Sequence, residues 1–364
     1  LFIYFFERGY KLLKENGRFG FITSNKYFRA KYGEKLREFL LKNTSIDTII
    51  DLNGVKIFAS ATVDSAIITF SKTEPNEHQK IDIYEGTFEN SFEFLQKNLS
   101  KESFTFANSA EFEIKQQIKK IGTPLKNWDI KIYRGILTGL NEAFIIDTAK
   151  KDELVAKDAK SAEIIKPLLR GRDIKRYEYE WAGLWLINSH NNPPVDIKQY
   201  PAIKEHLDQF YPQLEKRTDK GDTPYNLRNC AYWQEFEKEK IAWAETARIH
   251  RDNIENFPRF NYTKDSFYTD KTCYIMTGKN LKYICSILNS KFGKFLIEQY
   301  FVNFDKTGFS MQKVNMEILP IPKTSLQKQK PFETLVDFIL LLKSNKELEY
   351  MSSFFERAID IAVY

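Results

Sequence analysis

The chain has 364 residues, of which 42% are hydrophobic, 29% are charged and 15% are aromatic. This composition excludes an intrinsically disordered segment, and the length suits about two domains. No apolar run approaches the roughly 20 residues of a membrane-spanning helix, and the three cysteines and four histidines lack disulfide or metal-ligand spacing. We therefore expect a cytoplasmic protein without membrane contact and without a bound metal.

Basic residues are concentrated near the amino terminus. The net charge is only +6, yet residues 11–42 contain nine Lys and Arg against three Glu, with Tyr27, Phe28 and Tyr32 among them. Such a mixture of basic and aromatic residues is typical of a surface that contacts nucleic-acid phosphates. From charge alone, a solvated helix face is the alternative, and both interpretations stay open.

Residues 1–73 alternate between helical and strand patterns. The predicted elements are a helix over 5–14, a buried strand over 18–23, a helix around Leu36, Phe39 and Leu40, and strands over 46–52 and 62–71. Strands alternate with helices until the last strand, which follows without one. This order predicts the trailing edge of a doubly wound α/β sheet.

The pattern changes after residue 73. Residues 74–127, rich in Glu, Lys, Asn and Ser, are predicted to be a connector. Residues 128–323 show short strands between turn residues, which indicates a mixed, mainly antiparallel domain. Helical patterns interrupt this domain at 163–169, 202–210 and 281–292.

The last predicted part is a helical segment over residues 324–364. Its pattern is helical throughout from residue 328, and Leu335, Phe338, Ile339 and Leu342 are predicted to share one face. Taken together with the earlier elements, the predicted fold class is α+β.

A search for catalytic motifs returns no complete active site. The sequence contains no G-x-G-x-x-G loop, no P-loop and no G-x-S-x-G elbow. We therefore assign no catalytic residue and no cofactor-binding residue to this chain.

A family resemblance covers nearly the whole chain. Residues 17–73, which include GRFGFITSNKYF and ATVDSAIITF, resemble the last third of the catalytic domain of gamma-type adenine-specific DNA methyltransferases from type II restriction-modification enzymes. Residues beyond 128 resemble the TaqI-like C-terminal specificity domain, through YRGILTGLNEAFIID, EIIKPLLRGRDIKRY, RTDKGDTPYNLRNC, KIAWAETAR, TDKTCYIMTG, ILNSKFGKFL and MQKVNMEILPIP in that order.

The resemblance implies a DNA-reading protein. Members of the family bind S-adenosylmethionine on the first strands of the sheet and the target amine at an Asn-Pro-Pro-Tyr motif. The resemblance implies that these strands and this motif would precede Leu1. We therefore expect a fragment that neither binds the cofactor nor transfers methyl groups, with double-stranded DNA as its partner and upstream catalytic or nuclease domains in the same chain. A type I or phage-exclusion methyltransferase is a further possible parent.

Site residues follow from the resemblance and from donor chemistry. The family stacks an aromatic residue on the extruded adenine just before an L-R-x-x-L segment, and Tyr32 lies at or next to that position; packing at the helix start is its alternative role. Phosphate and base contacts require Arg, Lys and Asn on turns and loops. The candidates are Arg29, Lys31, Lys35, Lys131, Arg134, Arg170, Arg172, Lys175, Arg176, Arg217, Lys220, Asn226 and Arg228.

These candidates have different predicted roles. Arg29, Lys31 and Lys35 are expected on phosphates, and the group from Arg170 to Arg176 on phosphates or in the fold. The polar loop 217–228 is expected to enter a groove and to read bases. The predicted function is sequence-specific recognition of duplex DNA for an adenine-specific methyltransferase. The alternative is a protein-interaction or scaffold module with a solvated basic face.

Overall fold

The computed structural model describes residues 2–55, 57–58, 64–86, 91–104, 106, 117–118, 120–248, 257–301, 303–305 and 308–363. The chain forms two compact units, Leu1–Lys120 and Ile121–Tyr364. Within the described ranges, no helix combines the length and the apolar character needed to cross a membrane.

The described strands of the first unit form a five-stranded sheet. Its elements are α1 (Ile3–Leu12), β1 (Arg18–Ser24), α2 (Glu34–Asn43), β2 (Ser45–Leu52), β3 (Ser65–Ser71), β4 (Lys80–Glu85) and β5 (Ser91–Leu95). The strand order is β1-β3-β2-β4-β5, in which β3 runs antiparallel to β1 and β2 while β2 and β4 are parallel. Strand β3, the last strand predicted within residues 1–73, therefore lies between β1 and β2, which are connected through α2.

Aromatic side chains fill much of the core of the first unit. Phe6 on α1 is fully buried, with its ring 5.2 Å from that of Phe21 and 5.5 Å from that of Tyr27. On α2, Leu36 and Leu40 are buried at helical spacing, as the sequence predicts. Burial of such large rings supplies the apolar area that stabilises a small sheet.

The segment predicted to be a connector differs in structure. Strands β4 and β5 lie within it and extend the sheet of the first unit. Along β4, Ile81 and Ile83 are buried while Lys80 and Asp82 are exposed, which is the period-two pattern of a strand with one covered face. The prediction of a connector rested on the many Glu, Lys and Asn residues of this segment, and composition does not reveal such a short alternation.

The described residues of the second unit form four small sheets and several helices. Its strands are β6 (Gly122–Pro124), β7 (Ile130–Arg134), β8 (Ile145–Asp147), β9 (Ile165–Leu169), β10 (Leu184–Ile187), β11 (Lys240–Ala244), β12 (Thr246–Arg248), β13 (Asn261–Thr263), β14 (Tyr268–Thr269), β15 (Cys273–Gly278), β16 (Asn303–Asp305), β17 (Gly308–Ser310) and β18 (Pro320–Pro322). Its helices are α3 (Asn141–Phe144), α4 (Thr148–Lys157), α5 (Pro201–Asp208), α6 (Tyr211–Lys216), α7 (Leu281–Asn289), α8 (Lys291–Tyr300), α9 (Lys313–Glu317), α10 (Leu326–Lys343) and α11 (Ser352–Val363).

The sheets of the second unit are mainly antiparallel. Their strand orders are β14-β9-β10-β8, β13-β11-β15-β7, β12-β17-β16 and β18-β6, and among the described pairs only β14 with β9 is parallel. This mixed architecture confirms the predicted α+β class. Helix α7 covers the sheet β13-β11-β15-β7, and its buried residues include Ile284 and Leu288.

Two helical predictions in this unit are wrong. Residues 163–169 form strand β9 after a short turn, and Pro167, which has no amide hydrogen to donate within a helix, pairs with Trp185 of β10. The carboxy-terminal segment is not helical throughout, because α10 ends at Lys343 and α11 begins at Ser352.

The buried face of α10 also differs from the predicted one. Val336, Ile339 and Leu342 face the protein, whereas Phe338 is 45% exposed. The ring of Phe338 stacks on that of Phe355 of α11 at 5.3 Å, so it helps to hold the two carboxy-terminal helices together.

Candidate nucleic-acid interface

The basic stretch of the first unit lies in the crossover from β1 to α2. The Ser24 side chain caps a short 3-10 helix (Asn25–Phe28), and a second one (Lys31–Gly33) leads into α2. Arg29, Lys31 and Lys35 are exposed there, as the prediction of a phosphate-contacting surface requires. A solvated helix face would show the same exposure.

Tyr32 is the exposed aromatic residue of this crossover. Its side chain is 54% exposed and makes an edge contact with the ring of Phe2 at 6.3 Å. The neighbouring Gly33 is buried, and a Cβ at that position would clash with the carbonyl oxygen of Tyr27. Tyr32 rather than Gly33 therefore has a surface on which another ring can stack.

Arg37 belongs to the same basic stretch but lies inside the unit. It is 1% exposed, and its guanidinium donates to the carbonyl oxygens of Tyr27, Ala30 (3.0 Å), Lys101 (2.6 Å) and Glu102 (2.9 Å). Burial lowers the pKa of Arg37. This cation therefore fixes the crossover and is not available to a ligand.

An acidic group that the sequence reading missed lies at the end of β2. Asp51 is 8% exposed and accepts a hydrogen bond from the Asn25 side chain at 2.9 Å. Burial raises the pKa of Asp51, while Asn25 and the nearby Arg29 oppose that rise. Asn25 and Asp51 thus tie together the carboxyl ends of β1 and β2.

The four cations at residues 170–176 do not form one cluster. Arg170 makes two hydrogen bonds to Asp173, at 2.8 and 2.9 Å, which raise the pKa of Arg170. Arg176 is mostly buried and pairs with Glu356 of α11 at 2.5 Å. Lys175 pairs with Glu180 at 3.2 Å. Most of this group therefore stabilises the fold.

Arg172 is the exception in that group. It is exposed in the Gly171 turn and makes no hydrogen bond or ion pair with the described part of the chain. The turn itself is held in place, because the Gly171 amide donates to the Thr272 hydroxyl at 3.1 Å. Arg172 is thus a long cationic side chain on a fixed base.

Within the 217–228 loop, two of the four predicted DNA contacts point into the protein. Arg217 is 8% exposed and donates to the carbonyl oxygens of Thr138, Asn226 and Pro224, the last at 3.1 Å. Asn226 is 1% exposed and donates to the Val195 carbonyl at 2.9 Å. Burial lowers the pKa of Arg217 to about 10. These two side chains hold the loop in shape.

The other two predicted contacts of the loop are exposed. Lys220 donates to the Glu215 carbonyl at 2.6 Å. Arg228 pairs with Asp219 at 3.3 Å, and its side chain is 63% exposed. An exposed ion pair of this length contributes little to stability, so Arg228 can exchange its partner at small cost.

The β7 candidates lie at the edge of the sheet β13-β11-β15-β7. Lys131 is exposed. Arg134 donates to Glu245 at 2.9 Å and to the Lys271 carbonyl at 3.1 Å, and half of its side chain is exposed. The sequence reading did not single out Glu245, which directly follows the apolar strand β11.

Two family models match separate parts of this chain. Residues 1–58 match the Eco57I restriction-modification methylase, and residues 166–321 match the TaqI-like C-terminal specificity domain. The chain is related to type II restriction-modification methyltransferases. The predicted resemblance is thereby confirmed.

Curated relatives and one solved structure extend these matches. The type II methyltransferase M.BstVI of Geobacillus stearothermophilus is 24% identical over 93% of this chain and 64% of its own length. M.BanIII of Aneurinibacillus aneurinilyticus is 24% identical over 96% of this chain and 66% of its own. The chain thus spans just under two thirds of these relatives. The type IIL restriction-modification enzyme MmeI, solved in complex with DNA, shares the fold with a TM-score of 0.62 at 13% identity, over 99% of this chain and 48% of that one.

The candidate residues divide between the two family matches. Arg29, Lys31, Tyr32 and Lys35 lie within the methylase match, whereas the candidates from Arg170 to Arg228 lie within the specificity-domain match. Lys131 and Arg134 precede the second match in sequence. In space, however, β7 pairs with β15, which belongs to the specificity-domain match.

Proposed function

We propose that this chain recognises a specific duplex DNA sequence for an adenine-specific methyltransferase of a restriction-modification system, and that residues 121–364 read the sequence. The match of residues 166–321 to the TaqI-like C-terminal specificity domain carries this proposal. The exposed cations Arg134, Arg172 and Arg228 support it, because guanidinium groups supply both phosphate contacts and bidentate contacts to guanine.

The proposed roles follow exposure. Arg29, Lys31, Lys35, Lys131 and Lys220 contact phosphates, and Tyr32 stacks on the extruded adenine. Arg217, Asn226, Arg170 and Arg176 position loops and helices instead, because each of these side chains already hydrogen-bonds to the protein.

The methyl donor of the parent enzyme is proposed to be S-adenosylmethionine, and the described residues of the first unit do not fit it. No glycine-rich loop follows β1 or β2, and the Asn25 and Asp51 side chains at their carboxyl ends bind each other at 2.9 Å. We expect titration calorimetry to detect no binding of S-adenosylmethionine by this chain. Measurable binding would contradict this assignment.

A salt titration tests the DNA-binding function against a scaffold function. We expect the chain to bind a duplex oligonucleotide library in fluorescence anisotropy. The logarithm of the binding constant should fall linearly with the logarithm of the salt concentration, with a slope of about −0.9 for each phosphate neutralised. Duplex binding that is absent, or that is insensitive to salt, would contradict the proposal and favour the protein-interaction alternative.

A further inference from the structure

Three polar side chains from separate segments meet at one edge of the sheet β13-β11-β15-β7. Arg134 ends β7, Glu245 connects β11 to β12, and Gln312 precedes α9. Glu245 accepts from Arg134 Nη2 at 2.9 Å and from Gln312 Nε2 at 3.4 Å. We call these three residues the Glu245 cluster.

The backbone holds Glu245 rigidly on both sides. Its amide donates to the Thr272 carbonyl at 2.7 Å, and its carbonyl accepts from the Met311 amide at 2.8 Å. Arg134 is fixed as well, because its Nε donates to the Lys271 carbonyl at 3.1 Å. Base recognition requires such fixed placement, since a hydrogen-bonding group that is loose by about 1 Å loses its discrimination.

The cluster keeps unused hydrogen-bonding capacity. A guanidinium has five N–H donors, and Arg134 uses two of them on described residues. The Arg134 and Glu245 side chains are 50% and 21% exposed. An exposed ion pair contributes little to stability. Stabilisation of the fold therefore does not explain why this arginine and this carboxylate are both held in fixed positions.

A groove of about 440 Å³ lies beside Glu245. Its lining includes the cations Arg172 and Arg259 and the hydroxyl groups of Thr246 and Thr272. These groups suit the sugar-phosphate backbone, whereas a carboxylate among them is repelled by phosphate and suits a base that donates a hydrogen bond.

We propose that the Glu245 cluster reads one G·C base pair in the major groove. Arg134 donates to O6 and N7 of guanine, and Glu245 accepts from the N4 amino group of the paired cytosine. Gln312 orients the Glu245 carboxylate as a positioning residue. This inference rests on the proposed DNA-recognition function and names the residues that give it specificity.

Selection from a randomised duplex library tests the inference, with the bound sequences read out for the full chain and its variants. We expect Arg134→Ala and Glu245→Ala to lose preference at the same single base pair, by about 5- to 100-fold. Glu245→Gln keeps the side-chain shape, so it guards against misfolding. An amide pairs with adenine, so we expect this variant to shift preference toward adenine at the cytosine position.

A matched control is Lys279→Ala, which removes a surface ion pair of 2.8 Å with Asp129 in the same unit. We expect this variant to select the same sequences as the unchanged chain. If the unchanged chain selects a sequence and the Glu245 and Arg134 variants select it equally well, the cluster does not read bases. A uniform loss over all sequences would also overturn the inference, since it indicates phosphate contacts. If the unchanged chain enriches no sequence, the proposed function itself fails.

Discussion

Two groups of polar residues in the second unit contain similar residue types and differ in structure. The 217–228 loop turns Arg217 and Asn226 inward, where they hold backbone carbonyls. The Glu245 cluster keeps its arginine half exposed on a rigid sheet edge. Both contain the donors that DNA recognition requires, so residue type alone does not separate a loop scaffold from a reading surface. What separates them is which polar atoms the protein itself already satisfies.

Replacing Arg217 tests this contrast with the largest expected effect. Arg217→Ala leaves the carbonyl oxygens of Thr138, Pro224 and Asn226 without their donor in a buried site. We expect the free energy of unfolding to fall by about 2–4 kcal/mol. Chemical denaturation followed by tryptophan fluorescence measures it.

The same loop supplies the matched control for this experiment. Arg228→Ala removes an arginine whose side chain is 63% exposed and whose pair with Asp219 spans 3.3 Å. We expect a change within about 0.5 kcal/mol. The contrast would be wrong if the two variants were equally stable and Arg217→Ala lost DNA binding only at particular bases. Arg217 would then be a residue that contacts bases.

Lys240 sharpens the contrast, because it is a buried cation that is able to lose its proton. It is 1% exposed and donates to the carbonyl oxygens of Asp265 (2.6 Å) and Lys238 (3.0 Å). Burial lowers the pKa of Lys240 to about 8. Between pH 8 and 10 the unfolded chain therefore binds more protons at this position than the folded chain, so this lysine makes stability rise with pH.

We expect that rise to amount to about 2 kcal/mol between pH 8 and 10 and to disappear in Lys240→Met. Denaturation curves across this pH range for the unchanged chain and the variant measure the difference, in which the titration of tyrosines and cysteines cancels. Lys264→Met, which removes an exposed lysine next to Asp265, is the control. An unchanged pH dependence in Lys240→Met would mean that the Lys240 amine titrates normally.

Hydrophobic periodicity predicted much of the fold. Helix α2 was visible because its buried residues Leu36 and Leu40 recur at helical spacing, and strand β3 was visible because its buried residues Ala66, Ile68 and Phe70 alternate. Strand β9 was misread as a helix because Ile164, Ile165, Leu168 and Leu169 recur at helical spacing, whereas a strand that is buried on both faces shows no alternation. Its neighbours β10 and β14, far apart in the chain, decide the structure.

The site was less predictable than the fold for a physical reason. A sequence shows that Arg37 and Arg217 carry charge, but only the folded backbone shows the carbonyl groups that surround them. Glu245 was passed over because a search for DNA contacts looks for cations. A carboxylate becomes a candidate base reader only beside the arginine that a distant strand, β7, brings to it.

The smallest expected effect concerns the first unit, where Arg37 is buried and its neighbour Lys31 is exposed. If Lys31 contacts a phosphate, Lys31→Ala weakens binding to all duplexes about equally and lowers the slope of log affinity against log salt by about one. Lys42→Ala is the control, because Lys42 already pairs with Glu38 at 2.9 Å. A loss confined to some sequences would instead make Lys31 a base reader and place part of the specificity outside the second unit.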